Sequence, residues 1–196
     1  NKIFIDDKNL NNLDNFYKDK NKFIYNGYFQ DYRIIDLVYN INKISFANYK
    51  PLIKYKKLEN KITNYNLNIA FCIRNFNTVR GSESRYSYSK DKINALIDVL
   101  IKKYQTPKFY IFAFNNILIN DFIFPTDSEY ITHENGYVDD KAILKIISMC
   151  DIKVITNSST FYWIAAYISK KSNSKIYISK NYSIKNNLVH PNWIKF

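Results

Sequence analysis

Leu67-Asn68-Ile69-Ala70-Phe71-Cys72-Ile73-Arg74 is a short apolar run that stops on an arginine. It is too short for a globular helix and rich in residues that favour an extended chain, so it reads as a buried strand from Leu67 to Ile73. From about Asp91 to Tyr104 the pattern changes: Ile93, Leu96, Ile97 and Leu100 recur on one helical face, Ser89 is placed to cap it, and Pro107 stops it. Phe109 to Phe114 then reads as a second strand. A strand, an amphipathic helix and a strand in that order make a βαβ unit, and βαβ units build parallel sheets.

The same alternation continues toward the C-terminus. A loop holding Pro125 and Gly136 leads to a predicted helix from about Asp139 to Cys150 with Ile143, Leu144, Ile147 and Met149 inward. Lys153 to Thr156 is the next predicted strand, Asn157-Ser158-Ser159-Thr160 opens a short helix, and Lys175 to Ser179 is a further strand. Toward the N-terminus, residues 1–60 carry short apolar runs such as Phe23-Ile24-Tyr25, with Pro51 as a breaker and only weak helical signals. The expected organisation is therefore a first segment, 1–60, and a Rossmann-like α/β domain, 61–196.

Open parallel sheets bind ligands beyond the carboxyl ends of their strands. Three segments are predicted to meet there: Arg74 to Arg85, Phe114-Asn115-Asn116, and Asn157 to Thr160. Arginine is scarce in this lysine-rich chain, yet Arg74, Arg80 and Arg85 share the first segment. A guanidinium grips phosphate oxygens as a planar fork, which an ammonium does not. The hydroxyls of Ser158, Ser159 and Thr160 at a helix start have two uses: to cap the helix, or to hold a phosphate with its first-turn amides. Together with Arg74 the second use makes a diphosphate site. No glycine-rich fingerprint is present, which argues against a dinucleotide-binding Rossmann fold or a P-loop.

Ser158-Ser159-Thr160-Phe161-Tyr162-Trp163-Ile164-Ala165-Ala166-Tyr167-Ile168 resembles the Asn-Ser-Thr-Phe-Ser-Trp-Trp-Gly-Ala-Tyr-Leu signature of the bacterial α-1,2-fucosyltransferases. Three further stretches resemble that family in the same order: Gly27-Tyr28-Phe29-Gln30, Phe109-Tyr110-Ile111-Phe112, and Pro191-Asn192-Trp193-Ile194-Lys195. The resemblance implies a GT-B-like fold of Rossmann-type parallel sheets flanked by helices, here with the N-terminal lobe incomplete, since the family's Gly-Gly-x-Gly-Asn-Gln segment has no counterpart. It implies a GDP-fucose donor, transfer with inversion and without a metal or other cofactor, and a galactose-containing glycan acceptor of a surface polysaccharide. In register with the family's His-Val-Arg-Arg-Gly-Asp the chain reads Cys72-Ile73-Arg74-Asn75-Phe76-Asn77, so Arg74 is the arginine implied to hold the donor β-phosphate, with Asn75 and Asn77 beside it. The family's Ser-Asp-Asp after the second strand reads Ala113-Phe114-Asn115, which leaves Asn115 as the donor contact there. Glu83, in Gly81-Ser82-Glu83, resembles in position the glutamate of the Gly-Thr-Glu motif of α-1,6-fucosyltransferases and takes the role of base. The alternative is a descendant that binds nucleotide sugar or glycan without catalysis.

Composition excludes some classes and leaves others open. The net charge of +12 suits an anionic partner, including peripheral contact with an anionic membrane surface, but 25 of the 29 basic residues are lysines in an Asn-, Ile- and Tyr-rich chain, so composition alone explains it equally well. No nucleic-acid-binding module is recognisable, and no nucleic-acid partner is expected. Cys72 and Cys150 lie in apolar runs without metal or disulfide spacing and read as reduced core residues of a cytoplasmic protein. Asp139-Asp140 reads as a helix N-terminus rather than a metal site, and His133 and His190 read as surface loop residues.

Overall fold

The computed structural model describes residues 2–6, 22–26, 49–74, 90–116, 119–120, 122–157, 159–169, 173–180 and 189–196. The chain forms two compact units, Asn1–Lys43 with Lys185–His190, and Ile44–Ile184 with Pro191–Phe196. In the first, strands β1 (Lys2–Asp6) and β2 (Lys22–Asn26) pair in parallel with Ile3 opposite Phe23. Helical signals are all that the sequence offers there, because five-residue strands acquire their stability from a partner strand and leave little periodicity to read.

The second unit begins well before residue 61, since helix α1 (Ile53–Asn64) is part of it. Tyr55, Leu58 and Ile62 form the buried stripe of α1 at helical spacing. The helix packs on α3 (Asp140–Met149), where Lys145 pairs with Glu59 at 2.6 Å and the Asp139 amide donates to the Tyr55 hydroxyl at 2.8 Å. Asp139 caps α3 by accepting from the Ala142 amide at 3.0 Å, so the acidic pair does mark a helix start. Burial alone would raise the Asp139 carboxyl, but the Tyr49 hydroxyl and the Ala142 and Lys141 amides outweigh it and hold the group below its ordinary value.

Among the described residues six strands make the sheet: β3 (Asn68–Cys72), β4 (Lys108–Ala113), β5 (Glu129–Thr132), β6 (Ile152–Ile155), β7 (Lys175–Ile178) and β8 (Ile194–Lys195). Their order is β5-β4-β3-β6-β7-β8 and every pairing is parallel. Counted from β3 this is the 3-2-1-4-5-6 order of a Rossmann-type fold. Helix α2 (Lys90–Tyr104) covers one face, burying the predicted Ile93, Leu96, Ile97 and Leu100 against Ile69, Phe71, Phe109, Ile111 and Val154. Gln105 adopts a left-handed φ of 60° at the end of α2, just before Pro107. The alternate residues Ala70, Cys72, Phe112 and Ile155 are buried as well, toward α1, α3 and α4 (Thr160–Tyr167).

Three details differ from the sequence expectation. Strand β5 occupies what reads as a loop, because Glu129-Tyr130-Ile131-Thr132 is too short to announce itself and becomes a strand only through its pairing with β4. On α3 the fully buried face is Ala142, Ile143, Ile146, Ile147 and Ser148, while Leu144 and Met149 are half-buried. Lys153, inside β6, is completely buried, and its ammonium donates to the Cys150 carbonyl at 2.5 Å and to the hydroxyls of Ser174, at 2.8 Å, and Ser169. Those oxygens replace the water that a buried cation needs.

Asn68 ties the end of α1 to the start of β3. Its side-chain amide donates to the carbonyls of Ile62 at 2.8 Å and Tyr65 at 3.2 Å, and its backbone amide donates to the Asp151 carboxylate at 2.9 Å. Asn68→Ala strands buried carbonyls without a donor, and a loss of about 1–3 kcal/mol is expected, read as a lower urea midpoint at unchanged slope.

Candidate functional site

The order of strands reverses between β3 and β6, and the chain leaves these neighbours on opposite sides of the sheet. A crevice at the carboxyl ends is the consequence. Beyond β3 lies Arg74, which is exposed, and beyond β6 lie Thr156, Asn157 and the start of α4. The two strand ends are fastened together. The Thr156 hydroxyl donates to the Cys72 carbonyl at 3.0 Å, and the Asn157 side-chain amide donates to the Arg74 carbonyl at 3.0 Å. Both residues are buried, so the backbone that presents Arg74 is held from beneath.

Ser159 is the N-cap of α4. Its extended backbone has φ −148°, its hydroxyl accepts from the Tyr162 amide at 3.3 Å, and its carbonyl accepts from the Trp163 amide at 2.9 Å. Capping, one of the two uses open to these hydroxyls, is thus the one its side chain serves. The helix dipole and first-turn geometry still favour an anion at this end. Tyr162 reaches under the site and donates to the Phe112 carbonyl at 3.3 Å, which ties α4 to the end of β4. Burial raises its phenol well above the ordinary value, with the Cys72 thiol adding and the Arg74 cation only partly opposing, so the group is a hydrogen-bond donor and not a base.

Past β4 the chain presents Phe114 and Asn115. Phe114 is 64% exposed and its ring lies 4.7 Å from that of His133 in the turn after β5. Asn115 is half-buried. Its neighbour Asn116 is locked: its backbone amide donates to Glu134 at 2.8 Å and its side-chain oxygen accepts from the Thr132 hydroxyl at 3.0 Å. The loops after β4 and β5 form one hydrogen-bonded rim beside Arg74.

No family model matches the chain, and no curated protein sequence matches it. Among solved structures it is similar to a trehalose-6-phosphate synthase, OtsA, at a TM-score of 0.43 and 13% identity, over 83% of this chain and 38% of that one. The chain thus spans well under half the length of that protein.

Of the residues singled out in the sequence, Arg74, Asn115, Ser159 and Thr160 lie at the carboxyl ends of β3, β4 and β6, along one edge of the sheet. Glu83, Asn75, Asn77 and Ser158, with Arg80 and Arg85, lie outside the described residues. Two roles are not legible in the sequence: Asn157 lies in a segment expected at the crevice, but nothing there shows that it clamps the Arg74 carbonyl, and Tyr162 sits where the resembling family has serine. Cys72 and Cys150 are buried thiols, and burial pushes Cys72 up, so neither is suited to act as a nucleophile. Among the described residues there is no cluster of metal-ligating side chains, and no helix is long and apolar enough to cross a membrane.

Proposed function

We propose that this chain carries the donor-binding part of a glycosyltransferase that moves a sugar, fucose from GDP-fucose, to a galactose-containing glycan with inversion and without a metal. The observation that supports this most directly is the clamp between Asn157 and the Arg74 carbonyl, which holds the Arg74 backbone beside the residues that lead into a helix at the topological switch point. A cation and a helix N-terminus together favour the charge that a nucleoside diphosphate gains as it leaves. In the proposed reaction an acceptor hydroxyl attacks the anomeric carbon from the side opposite the diphosphate. The bond to the β-phosphate oxygen breaks, Arg74 takes up the developing charge, and Glu83 receives the hydroxyl proton. Asn75, Asn77, Asn115, Ser158, Ser159 and Thr160 complete the donor site in this reading.

A second reading, binding of nucleotide sugar or glycan without turnover, is favoured by one feature. The exposed Phe114 stands where the resembling family has an acidic residue able to contact the nucleoside. Calorimetric titration with GDP, GDP-fucose, UDP and UDP-galactose tests both. Micromolar binding of the guanine nucleotides with no binding of the uracil ones is expected, a binding free energy of roughly −8 kcal/mol. Failure of all four ligands to bind overturns the proposal. Binding without product in an acceptor screen selects the second reading.

A further inference from the structure

The opposite, amino-terminal end of the sheet holds a groove of about 580 Å³ that the donor site does not use. Its wall is one stripe of α1, where Lys57, Asn60, Lys61 and Asn64 follow one another at i, i+3, i+4 and i+7. The facing wall is the start of β4 and β5, with Lys108 and Glu129. A volume of this size suits a small molecule rather than a chain.

The charges of the groove do not cancel. Lys61 pairs with Glu129 at 2.6 Å, and Lys108 pairs with Asp127 at 3.1 Å. Lys57 has no ion pair or hydrogen-bond partner among the described residues, so one ammonium is left over. On the floor lies Tyr110, only 1% exposed, whose hydroxyl has no hydrogen-bond partner among the described residues. With no such partner, a hydroxyl that reaches the groove is open to solvent and available to a ligand oxygen. Burial, reinforced by the Glu129 carboxylate, raises the Tyr110 phenol well above its ordinary value, so it keeps its proton and can donate. Asn60 and Asn64 add amide donors at the mouth, and Tyr65, 42% exposed, adds an aromatic face.

The geometry points to a second ligand site here, one that takes a small oxyanion carried on a polyol, held by the Lys57 ammonium and the Tyr110 hydroxyl. Sugar phosphates and uronates share that chemistry. The site is independent of the donor crevice and does not rest on the glycosyltransferase reading.

Calorimetric titration of the whole chain with glycerol phosphate, glucuronate, inorganic phosphate and glucose, each taken to about 10 mM, tests it. At least one of the two polyol oxyanions is expected to bind and glucose is not; which one binds tells the phosphate source from the carboxylate source. Tyr110→Phe, which removes one oxygen from the floor, is expected to weaken that binding about fivefold. Lys57→Gln, on an exposed helix position, is expected to weaken it about tenfold. Arg74→Ala is expected to leave it unchanged. Absence of binding to the native chain overturns the site, as does equal binding of glucose. Binding that survives both groove substitutions, or that Arg74→Ala removes, places the anion elsewhere and overturns it equally. Loss of GDP binding with this binding intact leaves the second site standing while the donor reading falls.

Discussion

Arg74→Ala leaves the melting temperature where it is, weakens donor binding by about 2 kcal/mol, and removes sugar transfer. The side chain is exposed, and exposed substitutions away from special backbone features seldom shift stability by more than about 0.5 kcal/mol. The Arg74 carbonyl accepts from Asn157, and alanine keeps that hydrogen bond. The guanidinium in turn is the group proposed to neutralise the diphosphate as it departs, when its charge is greatest, so the loss in turnover exceeds the loss in ground-state binding. Melting curves, GDP titration and a transfer assay on the same preparation separate these effects. Unchanged turnover removes Arg74 from the mechanism. Arg80→Ala is the comparison, with a smaller effect expected, and an equal one means that the wrong arginine has been placed in the crevice.

Trp163→Ala is the largest expected change in stability, about 3–5 kcal/mol. Trp163 is the largest fully buried side chain of the unit and is 1% exposed on α4. Its ring lies 5.6 Å from that of Tyr167 one helical turn on, and 6.3 Å from Trp193 in the C-terminal segment. Tyr167 closes the cluster at 6.3 Å from Trp193. Edge and tilted ring contacts of this kind add about 0.5–1.5 kcal/mol per pair beyond the area they bury. Alanine leaves a void beside Tyr167 and Trp193 that the surrounding packing fills only in part. For a chain of this size the loss corresponds to a fall in melting temperature of roughly 6–20 °C. A drop within the error of the measurement shows that α4 does not depend on this packing. Because α4 carries Ser159 and Thr160, the substitution is expected to weaken donor binding as well, in contrast to a surface change on α2. The Pro191-Asn192-Trp193-Ile194-Lys195 stretch thereby acquires a structural account: Trp193 packs on α4, and Ile194–Lys195 adds the last strand of the sheet.

The alternation from Leu67 onward was legible as βαβ text because each central strand is buried on both faces and the helices α2 and α3 each show one apolar stripe. Where burial is one-sided or the element is short, the text fails. Strand β5 is read as a loop, β1 and β2 give no strand signal, and Lys153 gives no hint that it lies in the interior. The candidate site follows the same division. Arg74 stands out by scarcity and by its place after a strand, and the hydroxyl run by its place before a helix. Neither property shows that Ser159 uses its hydroxyl to cap α4.

The sequence by itself determined the fold class, the helix stripes and the three strand ends that share one edge of the sheet, because period and punctuation are local properties of the chain. Only the tertiary structure decided that β6 lies beside β3, that Asn157 clamps the Arg74 backbone, that α1 belongs with the sheet, and that Tyr110 opens its hydroxyl on a groove. Strand order and side-chain partnership join residues far apart in the chain, such as Arg74 with Asn157 and Asn68 with Asp151, and they are selected by the packing of the whole domain.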